Sequence, residues 1–297
     1  MKKLCVLLAL ILALTAFAGC AGNKPAELPA DTAAPEATDP AQEPTESALE
    51  PAAQTAEPTE APSVEAEYID DFTVRCIDGS SFTLSEALRD HELVLINLFF
   101  TGCGPCGMEF PYLQEAWEMN SDKIAVIALT PDPDDTDEIL NSYAKELGLT
   151  FPIAHEDGTG LRERFVQAYP TSILVDRSFR VAALEIGAKT SLQEFLDWFE
   201  GYTGDNYDPT VCTYTVFCYD CIFYDDIVGV VFNFCSDTAC FQVTADETGK
   251  AVFTGPAARY HVEVYSIPDG LRLYDDPEWT TEPYSQTFWV AFSAAGD

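Results

Sequence analysis

The sequence predicts an α/β fold, with a mixed β-sheet and helices on both of its faces, followed by a small all-β sandwich. Between residues 67 and 204, apolar runs typical of buried strands alternate with helical patterns. After residue 204 the helical patterns stop, and short strand patterns follow one another at close spacing. Each part is long enough to bury a hydrophobic core of its own.

The first part, residues 67–204, is predicted to begin with a β-hairpin and then to alternate strands with helices. The hairpin turns at Asp78-Gly79, a dipeptide that favours tight turns. Residues 93–100 form an almost wholly apolar run, which is typical of a strand buried on both faces of a sheet. The other predicted elements are helices at 85–88, 105–120, 135–147, 160–167 and 191–202 and strands at 124–129, 151–154, 172–176 and 181–185. This order implies a sheet with parallel and antiparallel neighbours.

The second part, residues 205–297, shows only strand and turn patterns. Its predicted strands lie at 214–217, 228–234, 241–244, 251–253 and 260–264, and turns separate them at 246–249 and 268–270. Short strands at this spacing favour a β-sandwich. Residues 243–270 also resemble the prealbumin-like modules of bacterial surface proteins, of the collagen-adhesin B type.

The amino terminus has the pattern of an export signal. Two lysines precede an apolar run at residues 4–18, which is too short to span a membrane comfortably. The run ends in Phe17-Ala18-Gly19-Cys20, which resembles a bacterial lipoprotein box. This resemblance implies a signal peptide at residues 1–19 and a lipid on Cys20. The alternative is a signal peptide cut nearby, with Cys20 unmodified.

The segment 20–66 is predicted to be a disordered tether. It consists mainly of Ala, Pro, Glu and Thr, without an aromatic residue between Ala21 and Glu67. Such a composition buries too little apolar surface to offset the entropy lost on folding. The whole chain carries a formal net charge of −35, which excludes nucleic acid as a partner and requires an anchor at an anionic membrane surface.

The motif Cys103-Gly104-Pro105-Cys106 lies where a predicted buried strand ends and a helix begins. At a helix amino terminus, unpaired backbone N–H groups and the helix dipole stabilise a thiolate. Cys103 is therefore the predicted nucleophile, and Cys106 is placed to resolve the mixed disulfide. The alternatives are half of a zinc site or a static disulfide. Zinc needs further ligands, but the three histidines are scattered, so we expect no metal and no cofactor.

The residues around this motif, Asn97-Leu98-Phe99-Phe100 before it and Glu109-Phe110-Pro111 after it, resemble the membrane-anchored thioredoxin-like proteins of the TlpA/ResA type. The likeness extends from about Asp71 to Tyr202 and implies a thioredoxin fold. It also implies that Glu109 is an active-site acid that transfers protons near the thiols. The alternative for Glu109 is a solvated residue that only stabilises the helix dipole.

The same resemblance includes Tyr169-Pro170-Thr171-Ser172, which precedes a predicted strand. It implies that Pro170, beside Tyr169, forms a cis-proline loop that packs against the disulfide and binds the substrate backbone. Gly102 departs from the family, which usually has Trp before the first Cys. This departure alters the substrate-binding surface beside Cys103 and leaves the reduction potential open.

The resemblance implies an extracytoplasmic enzyme that reduces or exchanges disulfides of exported proteins and is recharged by a membrane redox partner. Gly104-Pro105 is the dipeptide of the reducing thioredoxins, whose reduction potentials are about −270 mV, and this favours a reductant. One alternative is a cell-surface binding module with the thioredoxin fold as its scaffold. Another is a thioredoxin-fold peroxidase, which needs Thr and Arg around one reactive Cys.

Five of the ten cysteines lie in the second part of the chain. Cys235 and Cys240 flank a tight hairpin and are candidates for a structural disulfide. Cys218 and Cys221 form a second C-x-x-C without a helix behind it, so a structural pair is favoured over a redox relay. The odd count leaves one sulfur for Cys76 or as a free thiol.

Overall fold

The computed structural model describes residues 66–274 and 278–295. The predicted signal peptide, the lipidated Cys20 and all but the last residue of the predicted tether lie outside these ranges. Within the described ranges, the helices are all too short or too polar to cross a membrane. The described residues all belong to one compact unit.

The first part of the described chain follows the predicted order of strands and helices. Its strands are β1 (Thr73–Arg75), β2 (Ser81–Thr83), β3 (Leu93–Leu98), β4 (Ile124–Thr130), β5 (Ile153–His155), β6 (Thr171–Asp176) and β7 (Val181–Ile186). Its helices are α1 (Leu84–Asp90), α2 (Gly104–Asn120), α3 (Asp137–Leu147), α4 (Leu161–Phe165) and α5 (Leu192–Gly201). The predicted hairpin is confirmed, since β1 pairs antiparallel with β2.

The centre of this part is a mixed sheet in the order β7-β6-β3-β4-β5. β3 is parallel to β4 and antiparallel to β6. Every residue of β3 and β4 is buried, because apolar clusters cover both faces of the sheet. One cluster includes Leu88 of α1 and Leu161 of α4, and the other includes Phe110 of α2 and Phe195 of α5. The predicted mixed sheet with two covered faces is confirmed.

The second part consists of strands after a short 3₁₀ helix, Gly204–Asn206. The strands are β8 (Val211–Asp220), β9 (Val231–Cys235), β10 (Cys240–Thr244), β11 (Lys250–Pro256), β12 (His261–Ser266), β13 (Leu271–Leu273), β14 (Trp279–Thr280) and β15 (Ser285–Ala294). Four of them form a sheet in the order β10-β9-β12-β14, and the others join the large sheet. The prealbumin-like character of this part stays a prediction.

β15 joins the two parts of the chain into one sheet. It lies between β7 and β8 and is parallel to both, so the sheet runs in the order β11-β8-β15-β7-β6-β3-β4-β5, with β13 paired to β15. The sequence analysis did not predict β15. Its pairing partners are far away along the chain, and a local pattern does not reveal such pairing.

β15 also extends beyond the strand beside it. It pairs with β7 only at Ser285 and Gln286, but it continues along β8 as far as Phe292. Because β7 and β15 are parallel, the rest of β15 projects past the carboxyl end of β7. At that end Ile186 pairs with Thr171, which in turn pairs with Leu98, the last residue of β3. The second part of the chain therefore extends past the same end of the sheet at which β3 ends and the chain continues to Cys103.

Replacing Phe292 tests whether β15 supports the fold. Its side chain is fully buried in an apolar cluster with Phe232 and Val290, so we expect Phe292→Ala to lower the free energy of unfolding by about 3–5 kcal/mol. Urea denaturation followed by circular dichroism measures this loss. Tyr265→Ala is the control, because Tyr265 is 62% exposed in β12 and its loss should change stability by about 0.5 kcal/mol or less. Equal stabilities for the two variants would contradict the assignment.

Candidate active site

Cys103 and Cys106 form a disulfide at the amino terminus of α2, with 1.98 Å between their sulfur atoms and 5.3 Å between their Cα atoms. Cys103 is the N-cap residue, and its Sγ accepts a hydrogen bond of 3.2 Å from the backbone N–H of Cys106. Pro105 lies in the first turn, where its missing N–H costs no intrahelical bond. The backbone N–H of Cys106 and the helix dipole both favour a thiolate on Cys103 once the disulfide is reduced.

The two sulfur-bearing residues differ in their access to solvent. Cys103 is 6% exposed to solvent, whereas Cys106 is completely buried. A substrate disulfide therefore reaches Cys103 first. This difference supports the predicted order, in which Cys103 attacks and Cys106 resolves.

A buried carboxylate holds the loop that leads from β3 to Cys103. Asp135 is 3% exposed, and its Oδ2 accepts hydrogen bonds from the backbone N–H of Thr101, at 3.0 Å, and from the hydroxyl of Thr130 at the end of β4, at 2.7 Å. The hydroxyl of Thr101 donates to the other oxygen of Asp135. The sequence analysis placed Asp135 at the start of a helix, but α3 begins at Asp137 with Thr136 as its N-cap. Asp135 follows β4 by five residues, after Asp132 and Asp134, so no local pattern distinguished it from these neighbouring acids.

Glu109 lies one turn after Cys106 on α2 and is almost completely buried. Its Oε1 accepts a hydrogen bond of 2.8 Å from Nδ2 of Asn97, and its Oε2 accepts one of 3.1 Å from the backbone N–H of Lys189. Burial disfavours the carboxylate more than these hydrogen bonds favour it. The pKa of Glu109 is therefore raised from its ordinary value of 4.5 to about 7, so this group can both accept and donate a proton near neutral pH.

An ion pair of little-exposed side chains lies next to Glu109. Nζ of Lys189 is 3.3 Å from Oε2 of Glu185, and the two side chains are 12% and 16% exposed. The same Glu185 oxygen accepts a hydrogen bond of 3.0 Å from the hydroxyl of Thr287 on β15. The positive charge of Lys189 lowers the pKa of Glu109, and the negative charge of Glu185 raises it. The second part of the chain thus contacts the residues that set the protonation of Glu109.

Asn97 is a site residue to which the sequence analysis gave no role. It is fully buried in β3, and its Nδ2 donates to Glu109 and, at 2.9 Å, to Oγ of Ser172 on β6. Its Oδ1 has no hydrogen-bond partner among the described residues. A polar residue inside an otherwise apolar run was the signal that could have identified it, because buried polar groups normally have a structural or functional reason.

The peptide bond between Tyr169 and Pro170 is cis, as the sequence analysis expected. Pro170 is buried, and its carbonyl oxygen accepts a hydrogen bond of 2.9 Å from the N–H of Gly187 after β7. Tyr169 contacts Phe100 edge to face, with 5.2 Å between ring centroids. Tyr169 and Phe100 also pack against the apolar cluster that contains Cys103.

Gly102 is exposed directly before Cys103. A Cβ at this position would lie 3.2 Å from the ring of Phe100, which is too close for an ordinary contact. Beside it a cavity of about 290 Å³ is lined by Phe100, Tyr169 and Arg162, among others. Phe100 and Tyr169 are therefore the aromatic groups on this surface, where the related pattern has Trp.

The remaining cysteines are one bonded pair and four free thiols within the described ranges. Cys235 and Cys240 form a disulfide across the β9–β10 hairpin, with 2.07 Å between the sulfur atoms. Cys218 and Cys221 are not bonded to each other, and Cys76 and Cys212 are also free. Burial raises the pKa of the Cys218 thiol to about 12, which opposes the thiolate that a redox relay needs.

Comparison with known proteins identifies relatives of the first part of the chain. The Redoxin family model matches residues 58–195. The thiol-disulfide oxidoreductase ResA of Bacillus anthracis is 32% identical over 133 residues, which cover 44% of this chain and 72% of the relative. The thioredoxin-like protein YneN of Bacillus subtilis is 27% identical over 128 residues, 42% of this chain and 74% of the relative. The crystal structure of StoA from Bacillus subtilis is 20% identical with a TM-score of 0.38, and the match covers 44% of this chain and 96% of StoA.

The mixed sheet and the cysteine pair at a helix amino terminus define a thioredoxin-like oxidoreductase. At the identity and coverage found for ResA, the chain belongs to the family of ResA-like thiol–disulfide oxidoreductases. The predicted thioredoxin-like fold and the predicted enzyme class are thereby confirmed for the first part of the chain.

The charges around Glu109 give a prediction with opposite signs for two variants. Lys189→Met removes a positive charge, so the pKa of Glu109 should rise further above about 7; Glu185→Gln removes a negative charge, so this pKa should fall. We expect shifts of roughly half a unit to one unit each. Carboxyl ¹³C NMR titration of the oxidised protein measures them, and Glu109→Gln identifies the resonance. Shifts in the same direction would show that the variants act through altered packing instead.

The raised pKa of Glu109 also predicts how the free energy of unfolding depends on pH. The unfolded chain loses the Glu109 proton near pH 4.5, whereas the folded protein keeps it up to about pH 7. Between these values the folded state binds more protons, so the free energy of unfolding should fall as the pH rises, by about 3 kcal/mol in total. Glu109→Gln should remove this contribution, and urea denaturation at several pH values compares the two proteins.

Proposed function

We propose that the chain is an extracytoplasmic thiol–disulfide oxidoreductase that reduces or exchanges disulfides of exported proteins. The observation that carries the proposal is the Cys103–Cys106 disulfide at the start of α2, one turn before a buried carboxyl group whose pKa is about 7. A sulfur anion and a proton acceptor that is active at neutral pH are the two groups that thiol–disulfide exchange requires.

The reaction begins with the reduced pair. The Cys103 thiolate attacks one sulfur of the substrate disulfide, so a Cys103–substrate bond forms and the substrate S–S bond breaks. The leaving substrate sulfur departs as a thiolate and takes a proton from solvent. The amino terminus of α2 stabilises the attacking anion, and the exposed edge of Cys103 is where the substrate contacts the enzyme.

The second step closes the disulfide of the enzyme. Cys106 loses its proton to Glu109, which lies three residues further along α2 and therefore on the same face of the helix. The Cys106 thiolate attacks Sγ of Cys103 and releases the second substrate thiolate, which is protonated in turn. Overall, two electrons pass from the enzyme dithiol to the substrate, whose two thiolates take one proton each from solvent, and Glu109 returns to solvent the proton that it accepted from Cys106. Asn97 and the N–H of Lys189 hold the Glu109 carboxyl group in place.

The surface beside Cys103 binds the substrate polypeptide. The cis-proline loop of Tyr169 and Pro170 supplies a rigid edge, because the Pro170 carbonyl is held by the N–H of Gly187. Gly102 leaves room in front of Phe100. Phe100 and Tyr169 then provide the aromatic contact that Trp gives in the related pattern.

The amino-terminal pattern supports a location on the outer face of a bacterial membrane, with a lipid on Cys20 as the anchor. Each turnover leaves the enzyme as a disulfide, so a reductant must restore the dithiol. Outside the cytoplasm such electrons come from a partner in the membrane. We therefore propose a membrane redox partner that reduces the Cys103–Cys106 disulfide.

Serine variants test the two sulfur roles. Cys103→Ser should lower the rate of disulfide reduction by at least about a hundredfold, because the nucleophile is lost. Cys106→Ser should accumulate a mixed disulfide between Cys103 and the substrate, detected by mass spectrometry under non-reducing conditions. Cys221→Ser is the matched control and should retain full activity. Activity that survives in Cys103→Ser would contradict the mechanism and favour a binding module.

The reduction potential tests the direction of electron flow. With Gly104-Pro105 between the cysteines, we expect the Cys103–Cys106 couple of the isolated protein to have a reduction potential of about −270 mV. Equilibration with dithiol buffers measures it. A value as oxidising as that of strong disulfide donors, about −120 mV, would mean that the enzyme introduces disulfides instead.

A further inference from the structure

We propose that an aromatic face on β8 and β15 docks an unfolded, apolar and non-acidic segment of the polypeptide whose disulfide Cys103 attacks. The aromatic face consists of Phe217, Tyr219, Tyr224 and Trp289. The inference rests on the proposed function and adds to it a substrate class and a role for the second part of the chain.

The members of the aromatic face contact one another in sequence. Phe217 and Trp289 stack with 4.4 Å between their ring centroids, and Tyr219 meets Trp289 edge to face at 6.1 Å. Tyr224 stacks on Tyr219 at 6.0 Å. Trp289 is 51% exposed and Tyr224 is 75% exposed. Phe217 and Tyr219 are half-buried, and Nζ of Lys250 lies 4.9 Å from the Phe217 ring centroid. The rings of Trp289 and Tyr224 therefore form the solvent-exposed part of a connected aromatic cluster, and such a patch is typical of an interaction site.

A well-formed turn extends this face with three consecutive exposed side chains. Oδ1 of Asp220 accepts hydrogen bonds of 2.8 Å from the backbone N–H groups of Ile222 and Phe223. The N–H of Tyr224 donates to the carbonyl oxygen of Asp220 at 2.9 Å. Ile222, Phe223 and Tyr224 are 64%, 73% and 75% exposed. The turn is thus held by specific bonds while its large side chains face solvent.

The aromatic face is linked to the cis-proline loop of the redox site by two hydrogen bonds at consecutive residues. Nε1 of Trp289 donates a hydrogen bond of 3.0 Å to the carbonyl oxygen of Ile186, and the next residue, Gly187, donates to the carbonyl oxygen of Pro170. In the sheet, β15 is three strands away from β3, a distance of about 14 Å. An extended segment of about five residues spans this distance, so one substrate chain can contact Cys103 and Trp289 together.

The aromatic face also lies on the same side of the sheet as the disulfide. Thr287 and Trp289 are two residues apart on β15 and therefore point to the same face. Thr287 bonds to Glu185, whose partner Lys189 contacts Glu109 of α2 through its backbone N–H. The amino terminus of α2 carries Cys103.

Charge selects the occupant of this face. The turn is bordered by Asp220, Asp225 and Asp226. Lys250, which contacts Phe217, offsets one of these negative charges, but the chain as a whole carries a formal charge of −35. A second copy docked here would bring like charges together, which opposes association. An unfolded segment that is apolar and neutral or basic avoids this repulsion and covers the aromatic rings.

A double variant at the turn, Phe223→Ser with Tyr224→Asn, tests the proposal in the full chain. Asn suits position 224 because its backbone φ is +59°. Two substrates are compared: an unfolded polypeptide with scrambled disulfides, and a small aromatic disulfide that is too short to reach the face. We expect kcat/KM for the polypeptide to fall about tenfold, equal to about 1.4 kcal/mol, and kcat/KM for the small disulfide to stay within about twofold.

Tyr265→Ser is the matched control, because Tyr265 is 62% exposed on β12 of the other sheet; both rates should be unchanged. Thermal unfolding checks that each variant folds. Equal polypeptide rates for the wild type and the turn variant would overturn the proposal. A wild type that reduces neither substrate would overturn the proposed function instead.

Binding without redox chemistry separates these outcomes. In the Cys103→Ser, Cys106→Ser background, a cysteine-free unfolded polypeptide should bind and change tryptophan fluorescence, and the turn variant should weaken this binding about tenfold. Unchanged binding would overturn the docking proposal whatever the activity. Sedimentation tests the other occupant: a wild-type dimer that the turn variant converts to a monomer would show that the face binds a second copy.

Discussion

The geometry of the redox site depends on how β3 and the loop after it position the start of α2. Every residue of β3 is buried, so the strand cannot shift without exposing both faces of the sheet core. The loop that follows is fixed by the buried Asp135, which holds the backbone and the hydroxyl of Thr101. Cys103 therefore occupies the N-cap position of α2 in a defined geometry, and the helix dipole acts on its sulfur. Without this rigid support, the same four-residue motif would be an ordinary cysteine pair.

A second constraint is the burial of Glu109. A carboxyl group in this position would be neutral and inert if burial acted alone. Two hydrogen bonds and the nearby Lys189 offset part of this cost, so that the proton is held near neutral pH. Glu185 and Thr287 complete the surroundings. Thr287 of β15 is linked to this balance through its hydrogen bond to Glu185, and β15 lies outside residues 58–195, which the Redoxin family model matches.

Local patterns in the sequence predicted much of the first part, because its strands and helices have strong hydrophobic periodicity. The buried run of β3, the hairpin of β1 and β2 and the cysteine pair at the start of α2 were all visible in this way. The contact of Glu109 with Lys189 was not, because these residues are 80 positions apart. β15 was missed for a similar reason: its partners, β7 and β8, are distant in sequence, and its burial does not alternate cleanly. The family resemblance, and not periodicity, indicated the roles of Glu109 and Pro170.

The free thiols of this protein could form unwanted disulfides within the molecule. An enzyme that exchanges disulfides is exposed to the reaction it catalyses. Cys76, Cys212 and Cys218 are buried, and burial raises the pKa of each thiol. Because only a thiolate attacks a disulfide, these sulfurs react slowly even when a mixed disulfide forms nearby. The core thereby protects these three thiols from forming disulfides during repeated turnover, whereas Cys221, in the turn after β8, is partly exposed.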